Sequence, residues 1–318
     1  MVTLVIIGGS LTRIVIIGFG SQAKAWALNL LDSGKNVHIA LRPGSPSHQV
    51  VKALGLHSIE LGPSLSNFNI FILLTPDHTH KEILVAYEQH IPEGAKIIYA
   101  HGYSFTKYDF KNMFGQWDHL LLAPKAIASE VRFQYETGGK LGAIMSLEGS
   151  SNPEIDRALI SEIAKGIGIT AGPYENSFRD ETYADLFSEQ SILCSLLPYG
   201  ALHSFNKLRE RGISREMAYM ECWYEVKLIA DTLIKLGPLK FFELISPNAL
   251  IGGEKARKLF FNEEYNKITE GLLDDIWENK FFEEVDNLDF RSLKKEVMSF
   301  WKNEELNKVH EDLKESLF

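Results

Sequence analysis

The sequence predicts an α/β domain built on a parallel sheet and followed by an all-α carboxyl-terminal domain. Three observations carry this expectation. Through the first half, short apolar runs rich in β-branched residues alternate with helical patterns, as expected for a parallel sheet covered on both faces. After Gly172-Pro173 such runs stop, and from Asp180 to Phe318 long helical patterns dominate. The length, 318 residues with 45% apolar side chains, suits two domains that each bury a core. The expected division is residues 1–176 and 177–318.

The elements follow in order. Val2 to Gly9 and Arg13 to Gly18 are short apolar runs broken by glycine and Arg13, with no basic segment before them. They read as strands rather than as a signal peptide or membrane span. A helix containing Trp26, Leu28, Leu30 and Leu31 ends near Gly34. Val37–Leu41, Ile70–Leu74, Ile97–Ala100, Leu120–Ala123 and Gly142–Ser146 are the next strands. Asn152-Pro153 is a helix start, a capping residue followed by a proline whose missing N–H costs nothing, and that helix reaches about Gly166. The tail from Phe281 onward is charged and helical in pattern, which places it on the surface.

The formal charge of −9 and the absence of a Lys/Arg run argue against nucleic acid and anionic membranes as partners. A small anionic ligand stays compatible, because local cations can capture it. The two cysteines, Cys194 and Cys222, lie in apolar helical patterns and read as buried, inert thiols of a cytoplasmic protein.

Gly18-Phe19-Gly20-Ser21-Gln22-Ala23 follows a strand and opens a helix. This is the dinucleotide-binding turn of a Rossmann-type domain, with alanine at the third glycine position. The first glycine permits the tight turn, the second lets backbone approach the pyrophosphate, and the third position needs only a small residue. The next strand ends Ala40-Leu41-Arg42, with no acid for the ribose 2′-hydroxyl of NAD. Arg42, Ser45 and Ser47 offer one guanidinium and two hydroxyls for a 2′-phosphate, so NADPH is the expected cofactor.

Asp185 and Glu189 are four apart and share a helix face, as do Glu221 and Glu225. Like charges at that spacing repel by roughly 0.2–0.5 kcal/mol on an exposed helix, and a solvated acidic face is the usual reading. The surroundings argue otherwise. Met217 to Ala230 is apolar nearly all round and is expected to be buried, and from Asp185 to Leu197 the only charges are the two acids. Buried carboxylates need partners. Lys227 lies on the wrong side of its helix and can pair with Asp231. If the two helices meet, four acids without a local cation call for divalent metal, and all-oxygen ligands suit Mg²⁺ or Mn²⁺. Four carboxylates can hold two ions, one acid bridging.

These motifs, with Ala100-His101-Gly102, Ala123-Pro124-Lys125, Asp180-Glu-Thr-Tyr-Ala-Asp-Leu-Phe-Ser-Glu-Gln190 and Glu221-Cys-Trp-Tyr-Glu-Val-Lys-Leu-Ile229, occur in an order that resembles ketol-acid reductoisomerase of the short, bacterial type. The resemblance covers roughly residues 13 to 285. It implies NADPH, two Mg²⁺ ions, and conversion of 2-acetolactate or 2-aceto-2-hydroxybutyrate to 2,3-dihydroxy acids in branched-chain amino acid synthesis. It implies that Asp185 bridges the ions, with Glu189 on one and Glu221 or Glu225 near the other. His101, Lys125 and Glu225 match catalytic positions, and Ser246 matches the substrate-binding serine. Asp77, His78, Thr79 and His80 match the loop along the cofactor. Family members of this type interlock their helical domains, which implies a homodimer or a larger even assembly.

The chain also departs from the family. Ala126-Ile127-Ala128 stands where the family has Gly-Pro-Gly, Lys24 and Trp26 replace two histidines, Leu244 replaces a serine, and Pro247 follows Ser246. Two alternatives follow: a related NADPH-dependent reductase of another metal-chelating 2-keto-hydroxy acid, and a non-catalytic ligand-binding relative.

Overall fold

The computed structural model describes residues 6–7, 10–11 and 13–317. Ile6–Ile7 and Ser10–Leu11 form a small antiparallel pair, and the rest of the Val2–Gly9 strand reading lies outside the described residues. The chain divides into two compact units between Thr182 and Tyr183.

The first unit is built on an eight-stranded sheet. Its strands are β1 (Ile14–Ile17), β2 (Val37–Leu41), β3 (His57–Glu60), β4 (Ile70–Leu73), β5 (Lys96–Tyr99), β6 (Asp118–Pro124), β7 (Gly142–Gly149) and β8 (Ala171–Glu175). Their order across the sheet is β8-β7-β6-β5-β4-β1-β2-β3. From β3 to β6 all pairings are parallel. The chain moves outward one way from β1 to β3 and the other way from β4, so the switch point lies between β1 and β4.

Every residue of β1 is buried. Ile14 and Ile16 face one side, with Trp26 and Leu30 of the Ser21–Asp32 helix and Ile160 and Ile163 of the Pro153–Ile167 helix. Val15 and Ile17 face the other, with Phe71, Phe110 and Phe178. This two-sided burial is why the strand reads as a continuous apolar run. Trp26, at a position where the resemblance expects histidine, is a fully buried core residue.

Two features differ from the sequence reading. β7 runs antiparallel to β6, so the sheet is mostly rather than wholly parallel. The Ala128–Thr137 helix closes at Gly138, a left-handed residue, and the chain enters β7 beside the carboxyl end of β6, where Lys125 N–H donates to Gly142 at 3.0 Å. From there it can only run back. The edge strands β3 and β8 were not expected. Both are largely exposed, and Gly172-Pro173 in β8 is tolerated because an edge strand need not donate on both sides.

The amino-terminal ends of β5 and β6 are tied by charge. Lys96 Nζ pairs with Asp118 and lies 2.9 Å from Asp156 Oδ1. Ser151 N–H donates to Asp118 at 2.6 Å, and Asn152 caps the following helix by accepting from Ile155 N–H. This cluster lies at the end of the sheet opposite the dinucleotide turn.

The second unit is helical throughout its described residues. Its core joins Leu202 and Phe205 to Ala218, Tyr219, Leu306 and Val309. The tail is therefore not wholly a surface element: its last helix, Glu305–Leu317, buries Leu306 and Val309. Met217–Ala230 is only partly buried, against the expectation. It consists of the Arg215–Tyr219 helix, a π-turn at Met220–Tyr224 and the Glu225–Leu236 helix, and Met217, Leu228 and Ile229 are all exposed. Ala218 and Tyr219 are covered by the unit's own core, so the segment is buried on one side and open on the other. Cys194 is likewise exposed and Cys222 half-buried, against the expectation of buried thiols. Among the described residues no helix is long and apolar enough to cross a membrane.

Candidate active site at the carboxyl ends of the strands

The turn after β1 places Gly18 at φ +97, where a side chain would be strained, and a Cβ there would lie 2.6 Å from Thr75 Cγ2. Gly20 is the N-cap of the Ser21–Asp32 helix, and a Cβ on it would meet nothing within 4 Å. Ala23 is fully buried against the sheet. An open approach to backbone N–H groups at the start of a long helix with no acid in its first turn fits a pyrophosphate. Gln22 Nε2 reaches across to the Ala126 carbonyl at 3.2 Å, linking this turn to the loop after β6.

Arg42 follows β2 at the same end of the sheet and is exposed. Ser45 N–H donates to the Arg42 carbonyl at 3.1 Å, closing a turn through Gly44, and Ser47 begins a short helix. The three side chains proposed for a 2′-phosphate thus lie on one compact turn.

Asp77, His78 and Thr79 form a 3-10 turn after β4, and His80 opens the next helix. His78 is exposed, whereas His80 is buried, and desolvation depresses its pKa. The Asp77 carboxyl is held below the usual carboxylate range: its own desolvation opposes this, but the neighbouring imidazoles of His101 and His80 outweigh it.

His101 and Lys125 stand just past the carboxyl ends of β5 and β6. The group that joins them is Glu181, which the sequence reading missed. Its side chain is 1% exposed. Oε1 accepts from Lys125 Nζ at 2.6 Å, Oε2 accepts from Gly102 N–H at 2.7 Å, and Oε2 lies 3.8 Å from His101 Nε2. An ammonium and a backbone donor together allow a buried carboxylate to stay charged. Gly102 is required here, because a Cβ would lie 2.5 Å from both the Phe178 carbonyl and Thr182 Oγ1. The start of the Phe178–Ser188 helix is further fixed by Glu148, which accepts from Phe178 N–H at 2.7 Å, and by Phe178 stacking on Phe105. The available signal was spacing, since Glu181 stands one turn before Asp185 on the same helix.

Asp185 is half-buried near the end of that helix, and Glu189 opens the π-turn Glu189–Leu193. Glu221 lies inside the second π-turn and Glu225 directly after it, and both are exposed. Both acid pairs thus sit at wide helical turns, a distortion found often at functional sites. Among the described residues, Glu189, Glu221 and Glu225 belong to no group of three potential ligands within 4.8 Å of one another. Among the described residues the four acidic side chains are therefore not gathered into one cluster of that size. Lys227 does pair with Asp231, at 3.1 Å. Ser246 is exposed and caps the Pro247–Phe260 helix by accepting from Ala249 N–H at 3.2 Å, which makes Pro247 the first residue of a helix. Leu244, also exposed, precedes it.

Residues 10–172 match the family model of the acetohydroxy acid isomeroreductase NADPH-binding domain, and residues 178–317 match that of the ketol-acid reductoisomerase carboxyl-terminal domain. An NADH-preferring ketol-acid reductoisomerase from an uncultured archaeon superposes with a TM-score of 0.82 at 26% identity, over 96% of this chain and 95% of the other. A semialdehyde dehydrogenase NAD-binding protein from Cupriavidus necator gives 0.62 at 17% identity, over 84% and 99%. A 1-pyrroline-5-carboxylate reductase from Streptococcus pyogenes gives 0.56 at 16%, over 83% and 97%. The last two share the fold alone. With both halves matched, the chain belongs to the ketol-acid reductoisomerase family of NAD(P)-dependent oxidoreductases.

Proposed function

We propose that the chain isomerises 2-acetolactate or 2-aceto-2-hydroxybutyrate by alkyl migration and reduces the product to the 2,3-dihydroxy acid, using NADPH and Mg²⁺. The observation that carries this reading is the Phe178–Ser188 helix, which bears Glu181 against Lys125 and Gly102 and Asp185 one turn later. When bound, two divalent ions supply Lewis acidity for the ketone and hydroxyl, and the nicotinamide supplies hydride.

The chain's own residues have the remaining tasks. The Gly18–Gln22 turn holds the pyrophosphate, and Arg42, Ser45 and Ser47 hold the 2′-phosphate through charge-assisted bonds. The archaeal relative described as NADH-preferring makes this turn, rather than the family, the basis of the cofactor assignment. Asp77–His80 lies along the cofactor. Lys125 holds Glu181 in place through its ammonium, His101 Nε2 faces that carboxylate, and Ser246 contacts the substrate carboxylate. Asp185, Glu189, Glu221 and Glu225 are the metal ligands, all oxygen donors as Mg²⁺ prefers.

The quartet needs a second copy to be complete. Apolar side chains on the second unit, including Leu228, Ile229, Leu250, Ile251 and Phe260, are exposed in the single chain. Exposed apolar surface of this extent marks an interface. We infer a homodimer, or a larger even assembly, in which one copy brings Glu221 and Glu225 to the Asp185 and Glu189 of the other. A monomeric mass by light scattering at micromolar concentration excludes it. The setting inferred is the cytoplasm.

One observation favours a second reading. Ile127, where the family has proline, is 74% exposed on the loop after β6. It adds an apolar side chain at the end of the sheet that carries the cofactor turn, as a pocket shaped for a different 2-keto-hydroxy acid would. Ile127 has φ −68, which proline adopts without strain. Ala126→Gly with Ile127→Pro, assayed with 2-acetolactate and with the rearranged 3-hydroxy-2-ketoacid, separates the two readings. Faster turnover of both acids supports the reductoisomerase. No gain, together with faster turnover of a bulkier or smaller 2-ketoacid, supports the second.

A further inference from the structure

Asp77 stands between two histidines. Its carboxylate lies 3.8 Å from Nδ1 of His80 and 3.9 Å from Nδ1 of His101. His80 is already committed elsewhere. Its Nε2 faces the Thr75 carbonyl at 3.0 Å, and a carbonyl only accepts, so Nε2 carries the proton. Nδ1 of the neutral ring then accepts from the Ser104 hydroxyl at 2.7 Å. Both residues are buried, which favours the neutral ring. The nitrogen that His80 turns toward Asp77 is therefore an occupied acceptor.

His101 is placed differently. Its ring stacks on Tyr103, with centroids 6.2 Å apart and planes at 21°. Nδ1 points to Asp77, and Nε2 points to Glu181 at 3.8 Å. Stacking sets the plane of an imidazole but not which nitrogen lies on which side. A carboxylate that accepts from Nδ1–H sets both the ring rotation and the tautomer.

We propose that Asp77 is a positioning residue for His101: from 3.9 Å its carboxylate attracts the Nδ1–H edge of the ring and thereby holds Nε2 toward the Glu181–Lys125 pair. The kinetic consequence rests on the reductoisomerase reading. The resemblance gives Asp77 only a place along the cofactor, and the two roles leave different signatures. A residue that only contacts cofactor acts on NADPH affinity. A residue that acts through His101 acts on turnover and loses its effect once His101 is gone.

The test is a double-mutant cycle in the full chain with Asp77→Ala and His101→Gln, and with Asp77→Asn as the conservative variant that keeps an acceptor oxygen. Asp77→Ala is expected to lower kcat between about 2- and 100-fold, the span of couplings between groups in contact. The loss in kcat should exceed any rise in NADPH Kd, and Asp77→Asn should recover part of the loss. The double variant should be no slower than His101→Gln alone. Effects that multiply, or a raised NADPH Kd with kcat intact, would overturn the proposal. A second readout stands apart from turnover: ring ¹⁵N resonances of His101, assigned by their loss in His101→Gln. The expected spectrum has a protonated Nδ1 that shifts toward the unprotonated position in Asp77→Ala. If the native protein turns over neither keto acid, the reductoisomerase reading fails, and this spectrum still decides: an unchanged Nδ1 signal in Asp77→Ala overturns the positioning role.

Discussion

Replacing Gly102 by alanine probes the place where fold and chemistry share one atom. The new Cβ would stand 2.5 Å from the Phe178 carbonyl, 2.5 Å from Thr182 Oγ1 and 2.9 Å from Glu181 Oε2. The first two are about 1 Å short of ordinary contact, and neither neighbour can swing away. Thr182 Oγ1 itself donates to the Phe178 carbonyl at 2.8 Å, and Phe178 is buried. Relief must come from moving the helix start off the loop, which stretches the bond from Gly102 N–H to Glu181. Overpacking of this kind costs about 1–3 kcal/mol. A hydrogen bond to a charged group adds about 1.5–3 kcal/mol. Together they lower the melting temperature by roughly 5–24 °C, at about 2–4 °C per kcal/mol for a unit of this size. A shift of about 1 Å in Glu181 is also expected to slow turnover on the order of a hundredfold. Gly20→Ala is the control. Its Cβ meets nothing and its φ is −80, so melting should be unchanged while NADPH binding weakens. A Gly102→Ala protein that melts within about 2 °C of the native one and keeps its kcat would refute the reasoning.

Three further outcomes are expected. Arg42→Asp should reduce or reverse a preference for NADPH over NADH, as read by fluorescence titration; equal affinities in the native protein count against the 2′-phosphate turn. Millimolar Mg²⁺ should raise the melting temperature by mass action, and Asp185→Asn should remove most of the gain; identical curves with and without the ion in both proteins would exclude metal at Asp185. The buried rings of His80 and His119 have pKa values lowered mainly by desolvation. The unfolded chain then takes up protons first, so this stability is complete above about pH 6.5 and is lost as pH falls, by at most about 1.4 kcal/mol per histidine per pH unit. Melting temperature should fall between about pH 7.5 and 5.5 and fall less in His80→Gln; a rise over that interval would contradict the assignment.

How much of this was legible depended on what each signal physically reports. The core strands were readable because two-sided burial in β1, β2 and β4 to β6 leaves largely apolar runs, with polar side chains mainly at strand ends. Strand direction was not, since the same run in β7 serves an antiparallel neighbour equally well. The edge strands were silent because His57-Ser-Ile-Glu60 is largely exposed and packs little. The Gly18–Gly20 turn could be read because its geometry is local: Gly18 takes φ +97 and Gly20 leaves open space before the helix. Glu181 could not, because an acid in the first turn of a helix usually faces solvent, and only the tertiary approach of Lys125 and Gly102 makes it a buried ion. Met217 to Ala230 shows the limit of periodicity most plainly. It marks a face that needs cover, but it is blind to whether that cover comes from the same chain or another.

The central claim is that one chain couples metal-dependent isomerisation to reduction by NADPH. The direct measurement follows NADPH absorbance in purified protein supplied with Mg²⁺ and 2-acetolactate, with the product identified by mass spectrometry. The account expects oxidation that requires both the ion and the keto acid, matched mole for mole by a 2,3-dihydroxy acid. Binding of NADPH and Mg²⁺ without oxidation by 2-acetolactate, by its rearranged isomer or by any other 2-keto-hydroxy acid would contradict it and leave a ligand-binding protein in its place.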